Sequence, residues 1–207
     1  MDMKQTVLNN PILAILRNIP DDKLLKYAET IINGGVKFFE VALNSKNALS
    51  QIELLKKTFG NDALIGAGTA ITPERAKSAI ESGASFLLSP STDEAVLEYC
   101  RDNKIAFMPG ALTPSDVSLC VRYGFNVIKL FPAGDMPMSY VKSLKGPFDE
   151  TDYVAIGGVN GNNIREFTDN GYIGVGIGSG IIPSEFVQNE RWSEASKYIE
   201  NMLKSLK

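Results

Sequence analysis

The apolar residues of this chain come in short, unbroken runs. They lie at 11–17 (PILAILR), 36–43 (VKFFEVAL), 63–68 (ALIGAG), 86–89 (FLLS), 105–109 (IAFMP), 126–133 (NVIKLFPA), 153–157 (YVAIG) and 172–177 (YIGVGI). Strict alternation would mark strands with one wet face, whereas runs like these mark strands covered on both faces. Between the runs the period changes. Leu24, Leu25, Ala28, Ile31 and Ile32 recur at helical spacing after Asp21 and Asp22, either of which can cap a helix, and Gly34-Gly35 stops it. Further helices are predicted from 44 to about 59, 72 to 82, 91 to 102, 113 to 123, 139 to 144, ahead of Asn170-Gly171, and from 189 to 206.

Eight strand-then-helix units in a row predict parallel strands with helices outside, closed into a (β/α)8 TIM barrel. An open dinucleotide-binding sheet would want Gly-x-Gly-x-x-Gly after the first strand. No glycine occurs between Arg17 and Gly34, which removes that alternative. Without a linker or low-complexity tract, residues 1–207 read as one barrel domain. The length is at the lean end of the roughly 200 to 400 residues known for barrels, so connections must be short. The first ten residues read as a polar lead-in without a signal-peptide core.

Two charges interrupt these runs. Lys129 stands between Ile128 and Leu130, and Glu40 between Phe39 and Val41. Burying an ammonium is costly unless it is paired or gives up its proton, and a neutral amine attacks carbonyls. A stem lying along the sheet with its head in water would explain one such lysine. Two opposite charges in two apolar strands of a closed barrel are better explained by facing each other across its interior. A neutral lysine beside a proton-shuttling glutamate is the minimum set for carbonyl chemistry through an imine. A buried salt bridge without catalytic role is the structural alternative.

Composition narrows the chemistry. The chain has no histidine, so a zinc site or a Ser-His-Asp triad is not expected, and no carboxylate cluster at a strand end suggests magnesium. A net charge of −3 favours neither nucleic acid nor an anionic membrane as partner, and no run approaches the ~20 apolar residues of a membrane span. Cys100 and Cys120 fall in helix-like stretches, as reduced, packed thiols of a cytoplasmic protein would.

Functional residues of a barrel gather where strands end. Here those positions hold Arg17, Glu40, Asn44, Thr69, Ser89, Lys129 and Ser179. Gly157-Gly158 ends the seventh run and Gly178-Ser179-Gly180 the eighth, with a helix start available in Ile181–Glu185. Barrels often build a phosphate site from those two loops, although glycines also simply turn the chain. Gly66-Ala67-Gly68-Thr69 offers amides and a hydroxyl for a carboxylate, and Arg17 can bind one bidentately. Together these features describe an α-keto acid with a distal phosphate. Lys129 takes the keto carbon, Arg17 and Thr69 the carboxylate, and Gly157, Gly158, Gly178 and Ser179 the phosphate. A barrel isomerase or epimerase using Glu40 as base, and a non-catalytic phosphometabolite-binding barrel, are the competing readings.

The segments Ala14-Ile15-Leu16-Arg17, Phe39-Glu40-Val41, Leu64 to Thr69, Pro109-Gly110, Ile128 to Pro132, Ala155 to Val159 and Gly176 to Ser179 run in collinear order. In them the chain resembles the 2-keto-3-deoxy-6-phosphogluconate and 4-hydroxy-2-oxoglutarate aldolase family, which includes the 6-phosphogalactonate aldolases. The resemblance implies a homotrimer that needs no metal or other cofactor. It also implies cleavage of a 2-keto-3-deoxy-6-phosphoaldonate, galactonate or gluconate epimer, to pyruvate and glyceraldehyde 3-phosphate. By it Lys129 forms the Schiff base, Glu40 shuttles protons, Phe131 flanks the imine and Pro90 lines the pocket near the cleaved bond. Two positions depart from gluconate-type members. Leu43-Asn44-Ser45 stands for their Leu-Arg-Thr, and Ile156 for the threonine before the paired glycines. Both look more like the phosphogalactonate branch, and loss of the arginine leaves Arg17 as the carboxylate anchor.

Overall fold

The computed structural model describes residues 1–206. Nine strand segments all run parallel: β1 (Ile12–Leu16), β2 (Phe38–Ala42), β3 (Leu64–Gly68), β4 (Leu87–Leu88), β5 (Phe107–Met108), β6 (Gly110–Ala111), β7 (Val127–Leu130), β8 (Asp152–Ile156) and β9 (Gly174–Ile177). Their order is β5-β4-β3-β2-β1-β9-β8-β7-β6. The two ends of that order are halves of one stave. Pro109 has no N–H to give the ladder and divides them, so β5 pairs with β4 and β6 with β7. This closes the (β/α)8 barrel that the eight apolar runs predict.

Strand side chains sort into two layers. Ile12, Ala14, Leu16, Phe39, Val41, Ile128, Leu130, Tyr153 and Ala155 point outward into one core shared with the helices. Leu13, Ile15, Phe38, Phe86, Leu88, Met108, Val127, Val154 and Ile156 fill the barrel interior. Both faces of every stave are therefore dry, which is why the runs carry no polar alternation.

The outer layer comprises α2 (Asp21–Asn33), α3 (Ala48–Phe59), α4 (Pro73–Glu81), α5 (Glu94–Asp102), α6 (Pro114–Arg122), α7 (Tyr140–Lys145), α8 (Ile164–Asp169), α9 (Ser184–Gln188) and α10 (Trp192–Lys204). Thr72, Asp93 and Thr113 cap α4, α5 and α6 through their side chains, Thr113 in a capping box with Asp116. The start of α3 differs from the sequence expectation, falling at Ala48 rather than Asn44. Ser45 is not free to cap it, because its Oγ accepts the Asn18 N–H at 2.9 Å. Cys100 and Cys120 are buried free thiols in α5 and α6, pushed up to about 12 and about 11 by burial.

The largest departure lies at the N-terminus. The stretch read as a polar lead-in forms a helix, α1 (Met3–Asn9), capped by Asp2. It turns Met3 and Val7 into the interior cluster with Leu13, Phe38 and Val127, and so covers the lower mouth. Its Lys4 bonds Asp152 at 2.8 Å. No described helix is long and apolar enough to cross a membrane.

Candidate active site

The pleat decides where the two interrupting charges point. Lys129 alternates with Val127 and Phe131, which belong to the interior, while Ile128 and Leu130 belong to the outer core. Glu40 follows Phe38 by two positions and is flanked by outward Phe39 and Val41. Both charges therefore face the barrel axis, with exposures of 3% and 1%. In register Glu40 lies beside Ile15 and Gly66, and Lys129 beside Gly110 and Val154.

The neighbours of these two groups are small for a reason. A side chain at Gly68 would occupy the space of the Glu40 carboxylate, and one at Gly66 that of the Phe86 ring. These glycines give clearance to inward side chains within the β2–β3 ladder. Gly110 is likewise forced, since a side chain there would strike the backbone of Ser89 and Pro90.

Lys129 and Glu40 do not form the bridge that the structural alternative requires. Among the described residues no ion pair within 4.0 Å joins them. Glu40 Oε2 is buried without a hydrogen-bond partner. Lys129 Nζ sits 5.1 Å from the centre of the Phe131 ring. Burial pulls the ammonium below its ordinary value; Glu40 opposes this and Arg17 adds to it. An amine near a carboxylate but not locked to it can be freed of its proton and still reach a ligand.

Above this pair, at the C-terminal ends of the strands, opens a cavity of about 520 Å³. Arg17, Phe131, Gly157, Gly158, Gly178 and Ser179 line it, over a floor of Ile15 and Ile156. Gly157 and Gly158 take φ of +91° and +74°, a region in which a side chain is strained. Among the described residues the N–H groups of Gly158, Val159, Ser179 and Gly180 have no protein acceptor. Four free amides and a serine hydroxyl on the wall of one cavity are donors of the kind an anion takes. Arg17 is exposed and in no ion pair among the described residues.

Lys129 and Glu40 lie below this cavity's lining rather than in it, and Thr69 and Pro90 stand apart from it, each half-buried after its strand. Thr69 has φ +62°, an uncommon state for a β-branched residue that costs about 1–3 kcal/mol. Arg17 shares the cavity's lining with the glycine loops, since β1 pairs with β9, while Thr69 follows β3, on the far side of β2 from β1. Asn44 is exposed. Sequence reasoning missed Asn18 and Asn160, which complete the cavity wall. Asn18 follows the end of β1 by two residues and Asn160 the end of β8 by four, a signal shared with ordinary turn asparagines.

A closed barrel with a desolvated lysine, an inward carboxylate and an anion cradle at the strand ends defines a carbonyl-handling enzyme of the imine-forming type. The model for KDPG and KHG aldolases matches residues 3–198. A 2-dehydro-3-deoxy-6-phosphogalactonate aldolase of Escherichia coli is 30% identical over 83% of this chain and 84% of its own length. A 2-dehydro-3-deoxy-phosphogluconate aldolase of Haemophilus influenzae is 28% identical over 90% of this chain and 88% of its own. The crystal structure of KDPG aldolase from Legionella pneumophila, with pyruvate captured as a covalent carbinolamine, superposes with a TM-score of 0.89 at 30% identity, covering 98% of both chains. The chain belongs to the KDPG and KHG aldolase family. It is a class I aldolase, a carbon–carbon lyase that works through a lysine.

Proposed function

We propose that residues 1–207 act as one barrel domain cleaving a 2-keto-3-deoxy-6-phosphoaldonate, the galactonate epimer ahead of the gluconate one, to pyruvate and glyceraldehyde 3-phosphate. The observation that carries this is the buried, unbridged Lys129 facing the axis with Glu40 beneath the anion cradle. Asn44 and Ile156 at their two positions, and the 30% identity to a phosphogalactonate aldolase, support the galactonate preference. Arg17 and Thr69 hold the carboxylate, and Gly157, Gly158, Gly178 and Ser179 the phosphate. Phe131 flanks the imine and Pro90 walls the pocket beside the bond that breaks.

In this mechanism Lys129, as a free amine, adds to the C2 ketone, and loss of water gives a protonated imine. Glu40, or a water held by it, takes the proton of the C4 hydroxyl. The C3–C4 electrons flow into the imine, and glyceraldehyde 3-phosphate leaves. The same acid returns a proton to C3 of the enamine, and hydrolysis frees pyruvate and the lysine. Glu40 suits both transfers because its Oε2 has no competing protein donor.

Incubation with pyruvate and borohydride, followed by intact-mass measurement, is expected to show one pyruvate adduct, absent in Lys129→Ala. An unmodified wild-type chain would sink the assignment of Lys129. Pyruvate release from the two phosphorylated epimers, measured side by side, tests the preference. A cytoplasmic homotrimer completes the proposal. Exposed Leu49 and Leu54 on α3, with Ile71, supply apolar surface for self-association, and light scattering reads the mass.

A further inference from the structure

The loop after β8 must hold two consecutive left-handed glycines in one shape, although glycine loses more freedom on ordering than any other residue. Its amides can serve as a cradle only if that shape persists before a ligand arrives. One restraint comes from the turn after β7, where the Gly134 N–H bonds the Gly157 carbonyl at 2.8 Å. The opposite side of the loop is held by a residue that sequence reasoning did not single out.

Asn163 sits at the N-cap of α8, where an asparagine ordinarily accepts an amide of its own helix. Its side chain makes no such bond. Instead Oδ1 accepts the Asn160 N–H at 2.8 Å, and Nδ2 donates to the Gly158 carbonyl at 2.9 Å. Both ends of one side-chain amide therefore grip the same loop, on either side of Val159. With the Gly157 and Gly158 carbonyls and the Asn160 N–H all engaged, the N–H groups of Gly157, Gly158 and Val159 are left without protein acceptors among the described residues. The six-residue helix itself is not the site; the useful amides lie upstream of it.

We propose that Asn163 is a positioning residue for phosphate recognition: it spends its side chain on the Gly158–Asn160 loop instead of its own helix, and so pre-forms the cradle. This rests on the reading of the glycine loops as the phosphate site. Preorganised donors bind an anion without first having to be ordered, so loosening them weakens binding of the phosphate end. Condensation of Lys129 with pyruvate, which carries no phosphate, does not draw on the loop.

The test compares wild type with Asn163→Ala in three readouts: KM for the phosphorylated keto-deoxy acid, competitive inhibition by inorganic phosphate, and the rate of borohydride-trapped pyruvate imine. Both the KM and the phosphate inhibition constant are expected to rise about tenfold, the scale of losing two hydrogen bonds. Imine trapping stays at the wild-type rate and kcat moves by less than about threefold. Unchanged phosphate affinity overturns the proposal, since the loop then keeps its shape without the clamp. Parallel loss of phosphate affinity and imine trapping overturns it too, by revealing a general structural role. Should the alanine variant fail to fold, Asn163→Asp keeps the acceptor for Asn160 but cannot donate to Gly158, and carries the same comparison. A wild-type enzyme with which inorganic phosphate does not compete refutes the cradle itself, a failure visible before any variant is made.

Discussion

Two groups of buried charge sit at opposite mouths of this barrel, and the protein treats them differently. At the lower mouth Asp152 receives Lys4 at 2.8 Å and Lys145 at 3.2 Å. Burial works against its charge, but hydrogen bonds from Lys4 and Lys145 outweigh that and hold the carboxyl below its usual range. At the upper mouth Lys129 and Glu40 are buried more deeply and yet share no ion pair within 4.0 Å among the described residues, and Glu40 Oε2 has no partner. Desolvation is met in one place by pairing and in the other by a shifted proton equilibrium. The contrast separates a fastening from a reactive group: the first is satisfied by the fold, the second is left for a substrate to satisfy.

The sharpest way to break the comparison is at the upper mouth. Lys129→Ala is expected to abolish turnover, because among the described residues no other lysine is buried. Glu40→Gln keeps the shape and removes the proton carrier. Its turnover is expected to fall roughly 10²–10⁴-fold, the usual worth of positioned proton transfer, while the pyruvate imine still forms and is trapped by borohydride. A glutamine variant that turns over like wild type would return Glu40 to a structural role.

At the lower mouth the same kind of change should touch stability and spare chemistry. Asp152→Asn leaves Lys4 and Lys145 without their shared carboxylate and loosens α1. Because the Lys4 side chain is 58% exposed, its arm of the bridge is screened, and the loss is put at about 1–2 kcal/mol. The sign with pH follows from the depressed carboxyl: the fastening is at full strength above the ordinary value of 3.8 and is lost as pH falls through the lowered folded value. Denaturation of wild type and Asp152→Asn at neutral and acid pH should show the gap closing in acid, with kcat the same for both. A kcat that drops with Asp152 would mean that the two mouths are coupled.

The sequence disclosed these two regions unequally. Strands covered on both faces leave uninterrupted apolar runs, so the staves were legible, and a charge inside such a run is conspicuous. That is how Glu40 and Lys129 were found. The lower mouth was not legible. Helix α1 is seven residues long and offers only Met3 and Val7 as an inward pair, too few to establish a period. The shift of α3 arises from Ser45, whose hydroxyl serves a backbone amide 27 residues away, a tertiary choice that no local pattern reveals. Gly66 and Gly68 are also clearance for Phe86 and Glu40, a role hidden in the sequence because only the closed barrel brings those side chains over them. Asn163 was hidden for the same reason, since a capping asparagine and a loop clamp have the same spelling.

The comparison can also be sharpened by neutralising the upper mouth altogether. Replacing both charges, Lys129→Met with Glu40→Gln, exchanges a desolvated amine for an apolar side chain of similar length and leaves no orphaned charge. If the pair is held there for chemistry at the expense of the fold, this double variant should be more stable than wild type near neutral pH, by about 1–2 kcal/mol. The sign is opposite to that expected for Asp152→Asn. It should also shrink as pH rises. The folded pKa of Lys129 lies below the 10.5 of an unperturbed lysine, so between those two values the unfolded chain holds a proton that the folded chain does not. Wild type therefore gains stability with pH across that window, and the double variant's advantage fades toward 10.5. Chemical denaturation at neutral pH and near that limit reads both effects. A double variant less stable than wild type at both would show that the upper charges fasten the barrel as Asp152 does.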